Sequence, residues 1–529
     1  MSGEETSANR RIMTASPFEA TIVPFGEPDD TRRAAVLRGP RLVAEVGPAP
    51  AEDTPDGLPR DVDDDLRRAV ANAGMTPLLT SVVTPAPDSQ GYATLDVVPH
   101  DDRRAVLLVQ DEAGVVSWHR PHAPAEDDED ANPPAPGERV EFRIPAHRLA
   151  PATTAAPSGT TLAGPAVAAA TTAEGGTKVL QVLEFPVGAT SGGAASLYAE
   201  WEQRARPAVV RWFPPCGGLP RGEVLTDAVW RSLDRQPTLL FVHGIFSSCT
   251  SGFAGLLRSH CAALDELWAG LRANYDGRIL GYDHPTASVS PEENVDTFLA
   301  MIPDGVHLTV DLVCHSRGGL VARLLAEASR RGDSRITIRK IVFAGTPNGG
   351  TAIAVPENWG ALVDRWTNLL RFLPPGPWGT STPFGEILEL VKVLAERGEA
   401  ELPGLAVMRP GSPLYAELDA VPADPPTYYA IQADYEPHGA LKGLFDLGHD
   451  LGEVVDPLVD RVFRDAPNDV AVPTLGVGDP SGVESAHPDV AGFPVPDGRR
   501  LDFGADDEVW HCSYFDHPLT WEHLRQWLP

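Results

Sequence analysis

The C-terminal part of the chain alternates apolar runs with amphipathic stretches. TLLFVHG (238–244), GRILGYDHP (277–285), HLTVDLVCHS (307–316), IRKIVFAGTP (338–347) and PTYYAIQAD (426–434) are dominated by apolar residues, as strands buried on both faces of a parallel sheet are. GLVARLLAEASRRG (319–332) spaces its apolar residues three and four apart and ends on a glycine, which predicts a helix. Strand and helix in alternation predict an α/β domain over 236–529, built on a mostly parallel, doubly wound sheet. Between 351 and 425 the rhythm breaks. ENWGALVDRWTNLLRFL and PFGEILELVKVLAERG read as amphipathic helices separated by PPGPWGTSTP. Such an insertion is expected over the carboxyl edge of the sheet, where open α/β sheets bind ligands, as a lid. Trp359, Trp366 and Trp378 within it read as packing residues rather than substrate contacts.

Residues 1–235 follow another pattern. AVLLVQDEAGVVSWHRP (105–121) predicts a hairpin, with two apolar runs around a D-E-A-G turn. VEFRIP (140–145) alternates as a strand does, and KVLQVLEFPV (178–187) is a further strand candidate. DVDDDLRRAVANAG (61–74) predicts one amphipathic helix with acids in its first turn and a glycine at its end. The acidic run EDDED (126–130) lacks the spacing of an EF-hand loop and reads as a solvated loop. The Ala/Thr/Pro stretch around 150–176 reads as a linker. Residues 1–235 are therefore expected to form a β-rich accessory region.

Composition changes this picture in one respect. The 529 residues include 74 acidic and 43 basic side chains, a net charge of −31. Such a surface repels nucleic acid and anionic membrane, so neither is expected as a partner. The five cysteines (Cys216, Cys249, Cys261, Cys314, Cys512) form no C-x-x-C pair and indicate neither a zinc site nor a disulfide framework. The N-terminus lacks the apolar core of a signal peptide, and no apolar run reaches transmembrane length. A cytoplasmic location is the expectation.

Candidate chemistry centres on LVCHSRGGL (312–320). It approximates G-x-S-x-G, with Cys314 in place of the first glycine. Ser316 ends an apolar strand and is followed at once by Arg317-Gly318-Gly319 and a helix, the strand–turn–helix setting of a nucleophile elbow. Cysteine is small enough to stand where strand and helix approach each other; as a buried strand residue it is not the nucleophile expected here. His315 reads as structural. An acyl-transferring serine also needs N–H donors for its oxyanion. The candidates are the backbone N–H groups of Ile245, after the His-Gly of FVHGIF (241–246), and of Arg317, directly after the nucleophile. His243 reads as scaffolding rather than as a base.

FVHGI, DLVCHSRGGLVAR, IVFAGTPNGGT and PNDVAVP together resemble the lipase/esterase branch of the α/β-hydrolase superfamily, nearest its lecithin:cholesterol acyltransferase-like and triacylglycerol-lipase-like members. MRPGSPLYAELD (408–419) is similar to a segment such lipases carry after the lid. The resemblance covers roughly 236–529 and implies an α/β-hydrolase fold with a helical lid insertion. It also implies a triad in the order Ser, acid, His. Asn468-Asp469 resembles the N-D-G-x-V-P loop that carries the acid, with Val470 in place of the glycine, which makes Asp469 the expected acid. Asp434, Asp456, Asp460 and Asp465 are its rivals. His511, ahead of a final helix over 519–528, resembles the family's histidine, with His517 and His523 as alternatives. Cys512 reads as a packing residue.

These readings imply a serine hydrolase of carboxylic esters, acting on a small-molecule or lipid ester through Ser316, Asp469 and His511 by way of an acyl-enzyme. Acyl transfer to an alcohol uses the same triad and stays open, as does amide hydrolysis. A third reading treats the hydrolase unit as a binding module within a regulatory or effector protein, with a protein partner engaged through 1–235. The chemistry requires neither a metal nor an organic cofactor.

Overall fold

In the C-terminal part the computed structural model describes residues 193–213, 225–257, 261–355, 402–419, 425–436, 466–480, 492–506 and 508–528, and between these 358–360, 363–364, 366–367, 387–388 and 390–393. Before residue 190 it describes 11–12, 19–22, 35–38, 42–46, 66, 69–85, 92–110, 116–121, 135–145 and 178–186. EDDED, the 150–176 stretch, Trp378, Asp456, Asp460 and Asp465 lie outside the described residues. The chain forms two units. One comprises Met1–Ala189, Val363–Arg371 and Leu388–Gly398; the other comprises Thr190–Leu362, Phe372–Ile387 and Glu399–Pro529.

The first unit is antiparallel β-structure. Its strands are β1 (Arg11–Ile12), β2 (Glu19–Ile22), β3 (Ala35–Arg38), β4 (Leu42–Val46) and β5 (Thr76–Pro85). They continue with β6 (Tyr92–Val97), β7 (Arg103–Gln110), β8 (Val116–His119), β9 (Val140–Pro145) and β10 (Lys178–Pro186). One sheet runs β1-β4-β5-β10-β7-β8 and a second runs β2-β3-β6-β9. The expected hairpin is β7–β8, paired from Leu107 opposite His119 to Gln110 opposite Val116. Val140, Phe142 and Ile144 of β9 are buried and alternate with Glu141 and Arg143, as the sequence does, whereas residues 105–109 of β7 and 182–185 of β10 are buried without alternation. Parts of the insertion belong to this unit. Asp364 accepts the Trp118 N–H at 2.7 Å, and Thr367 accepts the Trp118 indole N–H at 3.1 Å.

The second unit has an α/β fold. Its strands are β11 (Val209–Trp212), β12 (Pro237–Val242), β13 (Ile279–Asp283), β14 (Leu308–His315), β15 (Ile336–Ala344), β16 (Thr427–Tyr435) and β17 (Arg500–Asp506). They form one sheet in the order β11-β13-β12-β14-β15-β16-β17. Only β11 is antiparallel to its neighbour; all other pairs are parallel. Every residue of β14 except Thr309 is buried, as expected of a strand covered on both faces. Residues 190–235, assigned from their sequence to the accessory region, supply this unit with helix α1 (Gly193–Ala205) and the edge strand β11. Four residues of strand carry too little pattern to announce which sheet they join.

Four longer helices follow, α2 (Ala262–Tyr275), α3 (Pro291–Met301), α4 (Gly318–Arg330) and α5 (Pro518–Trp527). Leu264, Leu267, Trp268 and Leu271 of α2 share a core with Phe241, Val313 and Val342 of the sheet and with Leu524 and Trp527 of α5. Full burial of side chains of this size contributes about 1.5–3 kcal/mol each. α3 opens with a capping box between Ser290 and Glu293 and a proline in its first turn. Among the described residues no helix is long and apolar enough to cross a membrane.

Candidate active site

Ser316 stands between β14 and α4 with φ of +53°. A non-glycine residue in the left-handed region is strained by about 1–2 kcal/mol, and the surroundings hold it there. Its N–H donates to Ala344 O at 2.8 Å, and Gly319 N–H donates back to Ser316 O at 2.9 Å. The turn requires bare backbone beside it. A Cβ on Gly318 would fall 2.3 Å from Val242 O, and one on Gly244 would fall 2.6 Å from Ser316 Cβ. Cys314 is wholly buried in β14, and burial pushes its thiol well above the usual range.

Gly244 thus brings the end of β12 onto the serine, with Ile245 next in the chain. Among the described residues neither Ile245 N–H nor Arg317 N–H donates to another backbone group. His243 has both ring nitrogens engaged by backbone: Nδ1 lies 2.9 Å from Gly244 O, and Nε2 accepts His284 N–H at 3.1 Å. Burial pushes it down to about 4. It shapes the turn.

Asp469 and His511 lie beyond β16 and β17. Tyr435 N–H donates to Asn468 O at 2.8 Å, and Asp434 accepts Asn468 N–H at 3.1 Å. Asp434, a rival for the acid, therefore anchors the loop that carries Asp469. Val470 keeps φ of +87° where the resembled motif has glycine, and its N–H donates to Asn468 Oδ1 at 2.9 Å. The Asp469 carboxylate accepts from Ala471 N–H (3.0 Å) and Val472 N–H (2.7 Å) on Oδ1. On Oδ2 it accepts from His511 Nδ1 (2.8 Å) and Tyr514 O–H (2.7 Å). His511 N–H also donates to Asp469 O at 2.9 Å, so backbone and side chain join the two loops twice. An Nδ1 that donates leaves Nε2 as the basic nitrogen of a neutral ring.

Two further residues connect this pair to the serine. Gly345 follows Ala344, which receives the Ser316 N–H; a Cβ on it would fall 2.9 Å from Asp469 Oδ2 and 3.0 Å from His511 Nδ1. His315 donates from Nε2 to His511 O at 2.7 Å, with the two rings 4.9 Å apart. Burial above all, and then His511, pushes His315 down to about 3. It is a neutral tether.

The alternative histidines stand elsewhere. His517 caps α5, its Nδ1 accepting Leu519 N–H at 3.2 Å, and packs against Phe503. His523 is half-buried, and its Nδ1 lies 2.8 Å from Leu519 O within α5. Trp359 is buried, with its indole N–H on Ala354 O. Burial and the neighbouring Asp469 charge push the Cys512 thiol well above its usual range. Tyr514 was not singled out in sequence; its only signal is a position three residues past His511. Among the described residues no group of His, Cys, Asp and Glu side chains is arranged to hold a metal ion.

A strand-to-turn serine and a hydrogen-bonded Asp–His pair, all at the carboxyl ends of neighbouring parallel strands, define an α/β protein with a candidate Ser–His–Asp constellation. The chain belongs to a family described as a domain of unknown function (DUF7379), which matches residues 218–529. No curated protein matches it. Among solved structures it is similar to lipase BlEst2 of Bacillus licheniformis in its propeptide form, at 14% identity and a TM-score of 0.32, over 61% of this chain and 53% of that one. Phospholipase PlaB from Legionella pneumophila aligns at 14% identity and a TM-score of 0.28, over 46% of this chain and 45% of that one. Lipase 1 from Pelosinus fermentans aligns at 14% identity and a TM-score of 0.32, over 55% of this chain and 97% of that one. The chain thus spans about half the length of the first two structures.

Proposed function

We propose that the second unit is a serine hydrolase of the α/β-hydrolase type that cleaves carboxylic esters. The observation that carries this reading is the Asp469–His511 pair, 2.8 Å apart and set beside the strained turn at Ser316. Ser316 Oγ attacks the ester carbonyl carbon while His511 Nε2 takes its proton. Asp469 fixes the imidazole tautomer and stabilises the imidazolium that forms. The N–H groups of Ile245 and Arg317 receive the charge on the carbonyl oxygen. Collapse of the tetrahedral adduct breaks the C–O bond, and the alkoxide leaves with the proton from His511. Water then attacks the acyl-enzyme with His511 as base, returning the acid and free Ser316.

A small fluorophosphonate tests the reading. The wild-type chain is expected to be labelled on Ser316, and Ser316→Ala to remain unlabelled while keeping its melting temperature. A folded wild-type protein that takes no label and turns over no p-nitrophenyl ester from acetate to palmitate overturns it. Adding an alcohol acceptor to the same ester panel separates hydrolysis from acyl transfer.

A further inference from the structure

We propose that Glu202, on helix α1 and outside the 218–529 span of the family, is a positioning residue for the oxyanion hole. The inference rests on the hydrolase reading above. Glu202 is buried at 2% exposure. Its carboxylate accepts five hydrogen bonds, all from one loop. Thr286 N–H (2.7 Å), Thr286 Oγ1–H (3.0 Å) and Ala287 N–H (2.9 Å) donate to Oε1. Ser288 N–H (2.8 Å) and Ser288 Oγ–H (2.6 Å) donate to Oε2. A buried carboxylate satisfied in this way holds its donors in one geometry, because releasing any of them leaves a buried polar group unpaired.

The same loop holds both oxyanion candidates. With its hydrogen committed to Glu202, the Thr286 hydroxyl presents its lone pair to Phe246 N–H at 3.2 Å. Phe246, directly after Ile245, has φ of +53°. A residue in that region turns the chain sharply and needs a partner to keep it there. On the other side of the serine the wholly buried Arg317 guanidinium reaches the same loop. It donates to Val289 O, to Asn294 Oδ1 at 3.0 Å and to Gly404 O at 3.1 Å. Loop 286–289 is thus tied to the residue after Ile245 and to the side chain of Arg317, and Glu202 fixes the loop. The nearby Glu202 charge also opposes the burial that lowers Arg317 to about 10.

Three variants of the full chain test the relay: Thr286→Val, Thr286→Ser and Glu202→Gln. Valine keeps the shape of Thr286 and removes the acceptor for Phe246 N–H; serine keeps the acceptor. Glutamine puts an NH2 opposite donors of the loop. An oxyanion donor acts on the transition state, so displacing it lowers kcat and leaves KM nearly unchanged. On a short p-nitrophenyl ester kcat is expected to fall about 10-fold in Thr286→Val and in Glu202→Gln, with KM within about twofold, and Thr286→Ser to recover to within about threefold of wild type. Amide exchange over 244–247 is expected to accelerate in Thr286→Val and Glu202→Gln and to stay at the wild-type rate over β15. Unchanged kcat in folded Thr286→Val or in folded Glu202→Gln, or a fall in Thr286→Val that serine does not rescue, overturns the proposal. Failure of the hydrolase reading shows itself separately, as a wild-type chain without turnover. The exchange measurement then decides alone, and an unchanged rate over 244–247 overturns the role of Glu202. Where Glu202→Gln does not fold, the Thr286 pair carries the test.

Discussion

Gly345→Ala puts a methyl group under the Asp469–His511 pair. Gly345 has φ of +55°, and its Cβ would lie 2.8 Å from Tyr514 Cε2, 2.9 Å from Asp469 Oδ2 and 3.0 Å from His511 Nδ1. Two separate costs follow. Alanine in the left-handed region costs about 1–2 kcal/mol. Overpacking a close-packed site costs about 1–3 kcal/mol more, because the neighbours have to move. Gly277→Ala isolates the first cost. Gly277 is exposed after α2 with φ of +75°, and a Cβ there meets nothing within 4 Å. The gain from a stiffer unfolded chain is common to both variants and cancels in their comparison. Urea unfolding is expected to place Gly345→Ala about 1–3 kcal/mol below Gly277→Ala. Fluorophosphonate labelling is expected to slow about 100-fold in Gly345→Ala alone, since the atoms that yield belong to the Asp469–His511 pair of the proposed triad. Equal stability of the two variants, or wild-type labelling in Gly345→Ala, refutes this account of the packing under the pair.

Two other outcomes follow from the same geometry. Val470→Gly removes about 1–2 kcal/mol of backbone strain at φ +87°. It also forfeits about 1.5–3 kcal/mol of side-chain burial. Stability is therefore expected within about 1–2 kcal/mol of wild type, with turnover retained; a larger loss in urea titration, or an inactive protein, would mean that the Val470 side chain itself shapes the acid loop. The buried histidines give a pH dependence. Burial holds His243 down at about 4 and His315 at about 3, and pushes His284 well below its usual range. Below about 6.5 the unfolded chain takes up protons that these folded side chains refuse. The stability they contribute is complete above that pH and is lost on acidification, by about 1 kcal/mol each for His243 and His315 between pH 6 and 5, with His284 acting in the same direction. A urea midpoint that does not fall across this interval contradicts the neutral, buried assignment.

Local pattern carried much of this protein. The apolar runs that became β12 to β16 and the spacing that became α4 reflect burial on two faces or one, which a short stretch of sequence records directly. The turn at Ser316 was legible for the same reason, because an apolar strand, a tight turn with Gly318 and a helix are contiguous. The pairing of Asp469 with His511 was expected from resemblance and chain order. Burial pattern alone did not separate Asp469 from Asp434, which the structure uses as the anchor of its loop. Tertiary structure alone decided the partners that lie far apart in sequence. Tyr514 on Asp469, Gly345 beneath His511, the His315 tether and the Glu202–Thr286–Phe246 relay each join residues from separate parts of the chain. It also decided that 190–213 contributes to the α/β unit, whereas 363–371 and 388–398 belong to the β-rich one. Period and composition specify which face of an element is buried. They leave open which neighbour covers it, and that neighbour supplies the hydrogen bonds that aim a loop.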